Sequence, residues 1–155
     1  MNKTERLRQL AKDYGLTGEH FFKDKRGFVI INRSGIERIQ AKDNIKVVYE
    51  TEKLEKDWIV LKAIATANDV SVESFGEASP ENCMSKFYVA MAEKRACARA
   101  VLKLTQFYEL DLYSDSEIED KQPIKAVRSK KIDPVQFPES TIDKYHNDDI
   151  IYDNR

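Results

Sequence analysis

The chain has 155 residues, with 26 Lys and Arg, 27 Asp and Glu and a formal net charge of −1, enough for one domain with a core and too little for two. Hydrophobic residues make up 41% and charged residues 34%, a balance that leaves part of the chain solvated rather than packed. No apolar run of about 18 residues is present and residues 1–20 lack a signal-peptide core, which excludes a membrane span and predicts a protein that stays in the cytosol.

The total hides an asymmetry. Residues 1–110 hold 19 Lys and Arg against 16 Asp and Glu, while residues 111–155 hold 7 against 11. A slightly basic body carrying an acidic tail is the reading. Cys83 and Cys97 are separated by roughly 21 Å if one helix holds both, too far to pair. Reduced thiols are expected, with Cys97 small and buried and Cys83 partly exposed.

Residues 4–14 read as an amphipathic helix, with Thr4 as N-cap, Leu7, Leu10, Ala11 and Tyr14 at helical spacing, and Gly15 as the stop. Residues 20–23 and 28–31 flank Asp24, Lys25, Arg26 and Gly27, a glycine-ended connection suited to a β-hairpin with a basic tip. Ser34 and Glu37 have capping-box spacing ahead of Ile36 and Ile39, which predicts a short helix ending near Asp43.

Residues 44–50 alternate, Ile45, Val47 and Tyr49 against Lys46, Val48 and Glu50, the pattern of a half-buried strand. The charged residues 50–57 predict an exposed loop. Residues 58–67 and 70–75 are two further strands joined by Asn68 and Asp69, side chains that tolerate the positive φ of a tight turn. Ser79, Pro80 and Glu81 then carry the marks of a helix start: a hydroxyl cap, a proline where no N–H is needed, and an acid facing the dipole.

The helix is predicted over residues 80–104, with Phe87, Met91, Ala98, Val101, Leu102 and Thr105 packed on the sheet. Arg95, Arg99 and Lys103 stack at i, i+4 and i+8, and Lys94 falls near the edge of the apolar face. Ala90, Ala92, Ala96, Ala98 and Ala100 keep the surface low, so a second backbone or a phosphate chain can come close. Like charges at this spacing repel by a few tenths of a kcal/mol, so the stripe needs an otherwise stable fold or an anion beside it.

Residues 106–120 run from apolar to acidic, a last docking segment that ends near Asp115. Beyond Lys121 come Pro123, Pro134 and Pro138, then a basic cluster of Lys125, Arg128, Lys130 and Lys131, and finally DDIIYD before the end. This is the composition of a disordered tail; DDIIYD reads either as plain tail or as a short motif for a partner protein.

The chain has no Walker loop, no GxGxxG and no CxxC, and its only histidines are His20 and His146. That removes the nucleotide-binding, Cys/His metal and Ser-His-Asp readings, and no cofactor is expected. Asp57, Lys62, Asp69 and Glu73 are available to a metal-dependent nuclease, but turn chemistry already explains both aspartates. Single-stranded nucleic acid fits better, because it is held by a basic groove that tracks phosphates and by aromatic faces on which bases stack. Lys94, Arg95, Arg99 and Lys103 would form one wall, and Lys62, Lys25, Arg26 and Arg33 the other. Phe21, Phe22, Tyr49, Trp58 and Tyr88 are available either to stack or to fill the core.

The order of hairpin, long strand, FGEASPEN turn, a helix containing MAEKRACARAVLKL and a closing YELDLYSDSE segment resembles the Rad-fifty-two-like superfamily of single-strand annealing proteins. The similarity is greatest to its short bacteriophage relatives and covers residues 20–118. The resemblance implies a β-β-β-α core, side-by-side subunits in a ring or arc, and single-stranded DNA in a basic groove around it. It implies DNA-backbone contacts for Lys94 and Arg95, which precede Ala96, and for Arg99, which stands one residue later than the family pattern. Gln106, Phe107 and Tyr108 replace the family's helix-ending glycines, and Gly76 alone remains of its glycine-containing turn ahead of the helix.

These readings predict an α+β domain over residues 1–118: an antiparallel β-meander packed by one long helix, preceded by two short helices. A disordered acidic tail is expected over residues 119–155. The expected function is not enzymatic. It is ATP-independent binding and annealing of complementary single-stranded DNA in phage recombination or replication, in the cytoplasm of a bacterium or a phage-infected host. The rivals are a plain single-stranded-DNA-binding or adaptor protein, and a metal-dependent nuclease. The expected partners are single-stranded DNA, further copies of the chain, and a protein that recognises the acidic tail, with no membrane.

Overall fold

A computed structural model describes residues 1–118, so the tail expected over 119–155 lies outside the described residues. Helix α1 (Lys3–Asp13) is capped by Asn2, which accepts from the Glu5 N–H while the Glu5 carboxylate accepts from the Asn2 N–H. This reciprocal box takes the capping role expected of Thr4, which falls instead in the first turn. Gly15, at φ 63°, marks the stop as expected.

Strands β1 (Phe21–Lys23) and β2 (Val29–Ile31) form the expected hairpin, with Phe21 opposite Ile31. Asp24 organises the tip, accepting from the backbone N–H groups of Arg26 and Phe28 and from Arg26 Nε. Helix α2 (Arg33–Lys42) is capped two residues before the expected position. Asn32, not Ser34, accepts from the Gly35 N–H, and Glu37 pairs with Arg33 rather than reaching back.

Strands β3 (Lys46–Glu55), β4 (Trp58–Ala67) and β5 (Val70–Ala78) form an antiparallel sheet in that order. Asn68 and Asp69 make the tight turn their types predict, at φ 49° and 64°. The loop expected over 50–57 is mostly strand: β3 runs on to Glu55, opposite Trp58, with a register shift between Thr51 and Lys53. Pairing is made by backbone groups that any side chain leaves available, so a charged run on an exposed strand pairs as readily as an apolar one, and a bulge absorbs the extra residue.

Helix α3 (Tyr88–Leu104) packs across β4 and β5, giving an α+β domain with a three-stranded antiparallel sheet under one helix. Ala63 and Ala65 on the sheet, and Ala92, Ala96 and Ala100 on the helix, are fully buried. At Gly76 the contact is backbone to backbone. A Cβ there would stand 2.1 Å from the Ala92 carbonyl oxygen and 2.4 Å from the Ala96 nitrogen. Gly76 therefore belongs to strand β5, not to a turn ahead of the helix.

The long helix starts eight residues later than its sequence signals predict. Asn82 Oδ1 accepts from the Ser79 N–H at 2.9 Å, which makes residues 79–82 a turn that the proline and serine suit equally well. Phe87, expected against the sheet, precedes the first turn and is 77% exposed. Cys83 is buried within this loop beside Ile59, Leu61 and Ala92, whereas Cys97 is half-buried near Gln40, the reverse of the expected order. Neither is in a disulfide.

Gln106 takes φ 65° just past α3, the left-handed position for which glycine is the usual residue. The chain then docks through to Ile118, three residues beyond the expected end. Phe107 and Leu112 are fully buried, and strand β6 (Tyr113–Ser114) pairs parallel to β2, completing a second sheet in the order β1-β2-β6. A turn of 3-10 helix, Asp115–Glu117, follows. No helix among the described residues is long and apolar enough to cross a membrane.

The close approach at Gly76 is testable. Gly76→Ala is expected to cost about 3 kcal/mol or more, read as a lower urea midpoint, because backbone and not a flexible side chain must move. Gly27→Ala, at φ 88° with nothing within 4 Å of the added Cβ, is expected to cost only the left-handed backbone penalty of about 1–2 kcal/mol.

Candidate nucleic-acid interface

The basic stripe of α3 has a structural end and an open end. Arg95 is buried, only 5% exposed. Its Nε donates to the Ser116 carbonyl at 2.9 Å and its Nη1 to the Glu77 carbonyl at 2.7 Å and to Asn82 Oδ1 at 3.0 Å. Its Nη2 donates to the Asn82 carbonyl at 2.7 Å. The guanidinium thus ties together β5, the loop ahead of the helix and the closing segment. Buried and bonded to these acceptors, Arg95 does not present its guanidinium at the surface, where the sequence reading expects it to meet a phosphate.

One turn on, Arg99 Nη1 donates to the Phe75 carbonyl at 2.7 Å, while its Nε and Nη2 fork onto both carboxylate oxygens of Glu117. That pairing raises the Arg99 pKa above its ordinary value. Another turn on, Lys103 is exposed, with Nζ 3.0 Å from Ser74 Oγ and 5.3 Å from the centre of the Tyr108 ring. Lys94 is exposed and close enough to the Asp115 carboxyl to act on it; burial nonetheless dominates there and raises the Asp115 pKa.

The second wall expected from the sequence is assembled only in part. Residues Ile59, Leu61, Ala63 and Ala65 face the helix, so Lys62 lies on the opposite face of β4. There its Nζ is 2.6 Å from Glu50, 3.7 Å from Glu52 and 3.9 Å from Glu73, and the Glu50 hydrogen bond raises its pKa. Arg33 is paired with Glu37, which raises its pKa, and its backbone N–H donates to Asp115 Oδ2. Arg26 is paired with Asp24 at the hairpin tip, beside the exposed Lys25.

What the fold does assemble is a cleft of about 590 Å³ between the β1–β2 hairpin and the edge formed by β5 and α3. Arg26, Arg99 and Lys103 line it together with the rings of Phe28, Phe75, Tyr108 and Tyr113, and with Glu73 and Glu117. Tyr113 stands edge-on to Phe28, centroids 5.8 Å apart, and edge-on to Tyr108 at 5.7 Å. The Arg26 guanidinium lies 5.3 Å from the centre of the Phe28 ring. Cations set beside ring faces are the elements from which sites for anionic aromatic ligands are built.

None of these four rings is among the aromatics singled out from the sequence. Phe21 is core, and Trp58, though exposed, sits elsewhere, with Lys53 Nζ 3.4 Å from its ring centre. The parallel pairing of β6 with β2, Tyr113 opposite Ile30, brings Tyr113 to Phe28, a contact without a local trace in the sequence. Of the residues considered for a nuclease, Lys62 and Glu73 meet at 3.9 Å, but the two aspartates do not come together. Asp57 and Asp69 occupy the turns at opposite ends of β4, about 30 Å apart along a strand of that length. Among the described residues no group of three His, Cys, Asp or Glu could hold a metal ion.

The environment of Arg95 sets its expected behaviour. Arg95→Ala would leave the carbonyls of Glu77, Asn82 and Ser116 without this donor and open a cavity, a loss of about 3–5 kcal/mol seen as a lower melting temperature. If nucleic acid binds, the slope of log K against log salt should be unchanged in whatever fraction stays folded, because Arg95 does not reach the cleft.

Comparison with known proteins finds no matching family model, no matching curated protein and no matching solved structure.

Proposed function

We propose that the protein binds single-stranded DNA in this cleft, without ATP, and holds it so that complementary strands anneal. The observation that carries the reading is the convergence of Arg26, Arg99 and Lys103 with the rings of Phe28, Phe75, Tyr108 and Tyr113 on one open groove. Phosphates would lie against the cations and bases against the rings. In a duplex the base faces are already stacked on one another, so a groove that offers rings favours a single strand. Contacts to phosphates and ring faces carry little sequence information, and a base held by its face keeps its pairing edge available to a complement.

The resemblance read from residues 20–118 supports annealing and adds neighbouring copies in a ring or arc, which would join short clefts into a longer track. Lys25, exposed beside Arg26, would extend the cationic rim. Lys62 and Arg33, which do not line the cleft, and Arg95, buried, have no part in this version of the site.

Titration of fluorescent oligo-dT across a salt series, followed by strand annealing with and without magnesium, tests the proposal. Lys103→Ala is expected to flatten the log K versus log salt slope by roughly 0.7. Tyr108→Ala is expected to weaken binding by about 1–3 kcal/mol with the slope preserved. Annealing should proceed without magnesium and leave the strands at full length. Absence of any single-strand binding by the native protein would sink the reading. Binding without annealing would reduce it to a plain single-strand binder, and magnesium-dependent shortening would make it a nuclease.

A further inference from the structure

Arg99 reaches the cleft with its charge already answered. The Glu117 carboxylate meets it as a two-oxygen fork, with Nη2 to Oε2 at 2.7 Å. A phosphodiester offers a guanidinium the same thing, two oxygens sharing one negative charge. Both partners line the cleft, and their side chains are 28% and 20% exposed, so the pair can be reached from the groove.

The backbone around Glu117 is fixed independently of this contact. The Ser116 carbonyl accepts from the buried Arg95, and the Ser116 N–H donates to Ser114 Oγ at 3.2 Å. Rotation of the Glu117 side chain can therefore expose Arg99 while the closing segment stays in place. Arg99 itself stays aimed, because Nη1 is held by the Phe75 carbonyl.

We propose that Glu117 is a built-in competitor for nucleic-acid phosphate: it occupies Arg99 in the unliganded protein and is displaced by a phosphodiester when a strand enters the cleft. The inference rests on the reading of the cleft as a single-strand site and adds how that site is restrained. Entry at this position exchanges one anion for another and leaves the displaced carboxylate beside the strand. Binding is therefore weaker than the cations alone would give, and only a ligand held along the rest of the groove retains Arg99 against the tethered competitor.

The test compares native protein, Glu117→Gln and Glu55→Gln in oligo-dT titrations across a salt series, with a thermal melt of each. Glu55 lies at the far end of β3, paired with Lys53, and controls for the loss of one negative charge anywhere on the protein. Glu117→Gln is expected to tighten binding about five- to tenfold at 0.1 M salt and to steepen the salt slope by roughly 0.7, with Glu55→Gln close to native. Equal affinity and slope in native protein and Glu117→Gln would overturn the competitor while leaving the single-strand site intact, as would weaker binding in Glu117→Gln. No binding by either protein would remove the single-strand site itself and the inference with it. If Glu117→Gln does not fold, Glu117→Asp decides: it keeps the charge but loses one methylene of reach, and a gain in affinity supports the competitor where an unchanged value overturns it.

Discussion

The buried guanidinium of Arg95 is the point on which the rest of the domain is hung. A charge removed from water costs several kcal/mol unless hydrogen bonds replace its hydration, and here main-chain carbonyls from three separate stretches do so. Glu77 closes strand β5, Asn82 sits in the loop that enters α3, and Ser116 ends the chain's return across the helix. Each is held by a single side chain that lies far from it in sequence. The late start of the helix follows: residues that could have formed its first two turns are folded around Arg95 instead.

That arrangement requires helix and strand to lie very close, which is the role of Gly76 and of the alanines that face it. It also explains why the next cation behaves similarly. Four residues of helix advance about 6 Å, and two residues of strand advance about 6.7 Å. Arg95 and Arg99 thus meet Glu77 and Phe75, successive outward carbonyls on the edge of β5. Unpaired edge carbonyls need donors, and a basic stripe at helical spacing supplies them in register. The mismatch of under 1 Å per step is easily absorbed by a side chain as long as arginine.

Burial falls along the stripe, from Arg95 in the interior through the half-buried Arg99 to the exposed Lys103. The cleft opens at the exposed end, and its far wall is made by the parallel pairing of β6 with β2. Fold and candidate site therefore share one device: the closing segment that anchors Arg95 through Ser116 also delivers Tyr113 to the aromatic cluster and Glu117 to Arg99. A change that loosened this segment would disturb stability and cleft together.

Features set by neighbours in sequence were legible there. Strand alternation, the left-handed Asn68 and Asp69, the glycine-ended hairpin tip and the stop at Gly15 depend on backbone geometry within a few residues, and the sequence by itself determined them. It also determined that a cationic stripe runs along α3. Only the tertiary structure decided what each cation does, because a guanidinium against a phosphate and one against a carbonyl have the same sequence and differ only in what faces them. Arg95 faces Ser116, 21 residues away; Lys62 faces glutamates on two adjoining strands; Phe28 faces Tyr113 through a strand pairing that no local pattern announces. Strand β3 outran its alternation and α3 fell short of its capping signal for the same reason: backbone hydrogen bonds to distant partners outweighed the preferences of the residues in between.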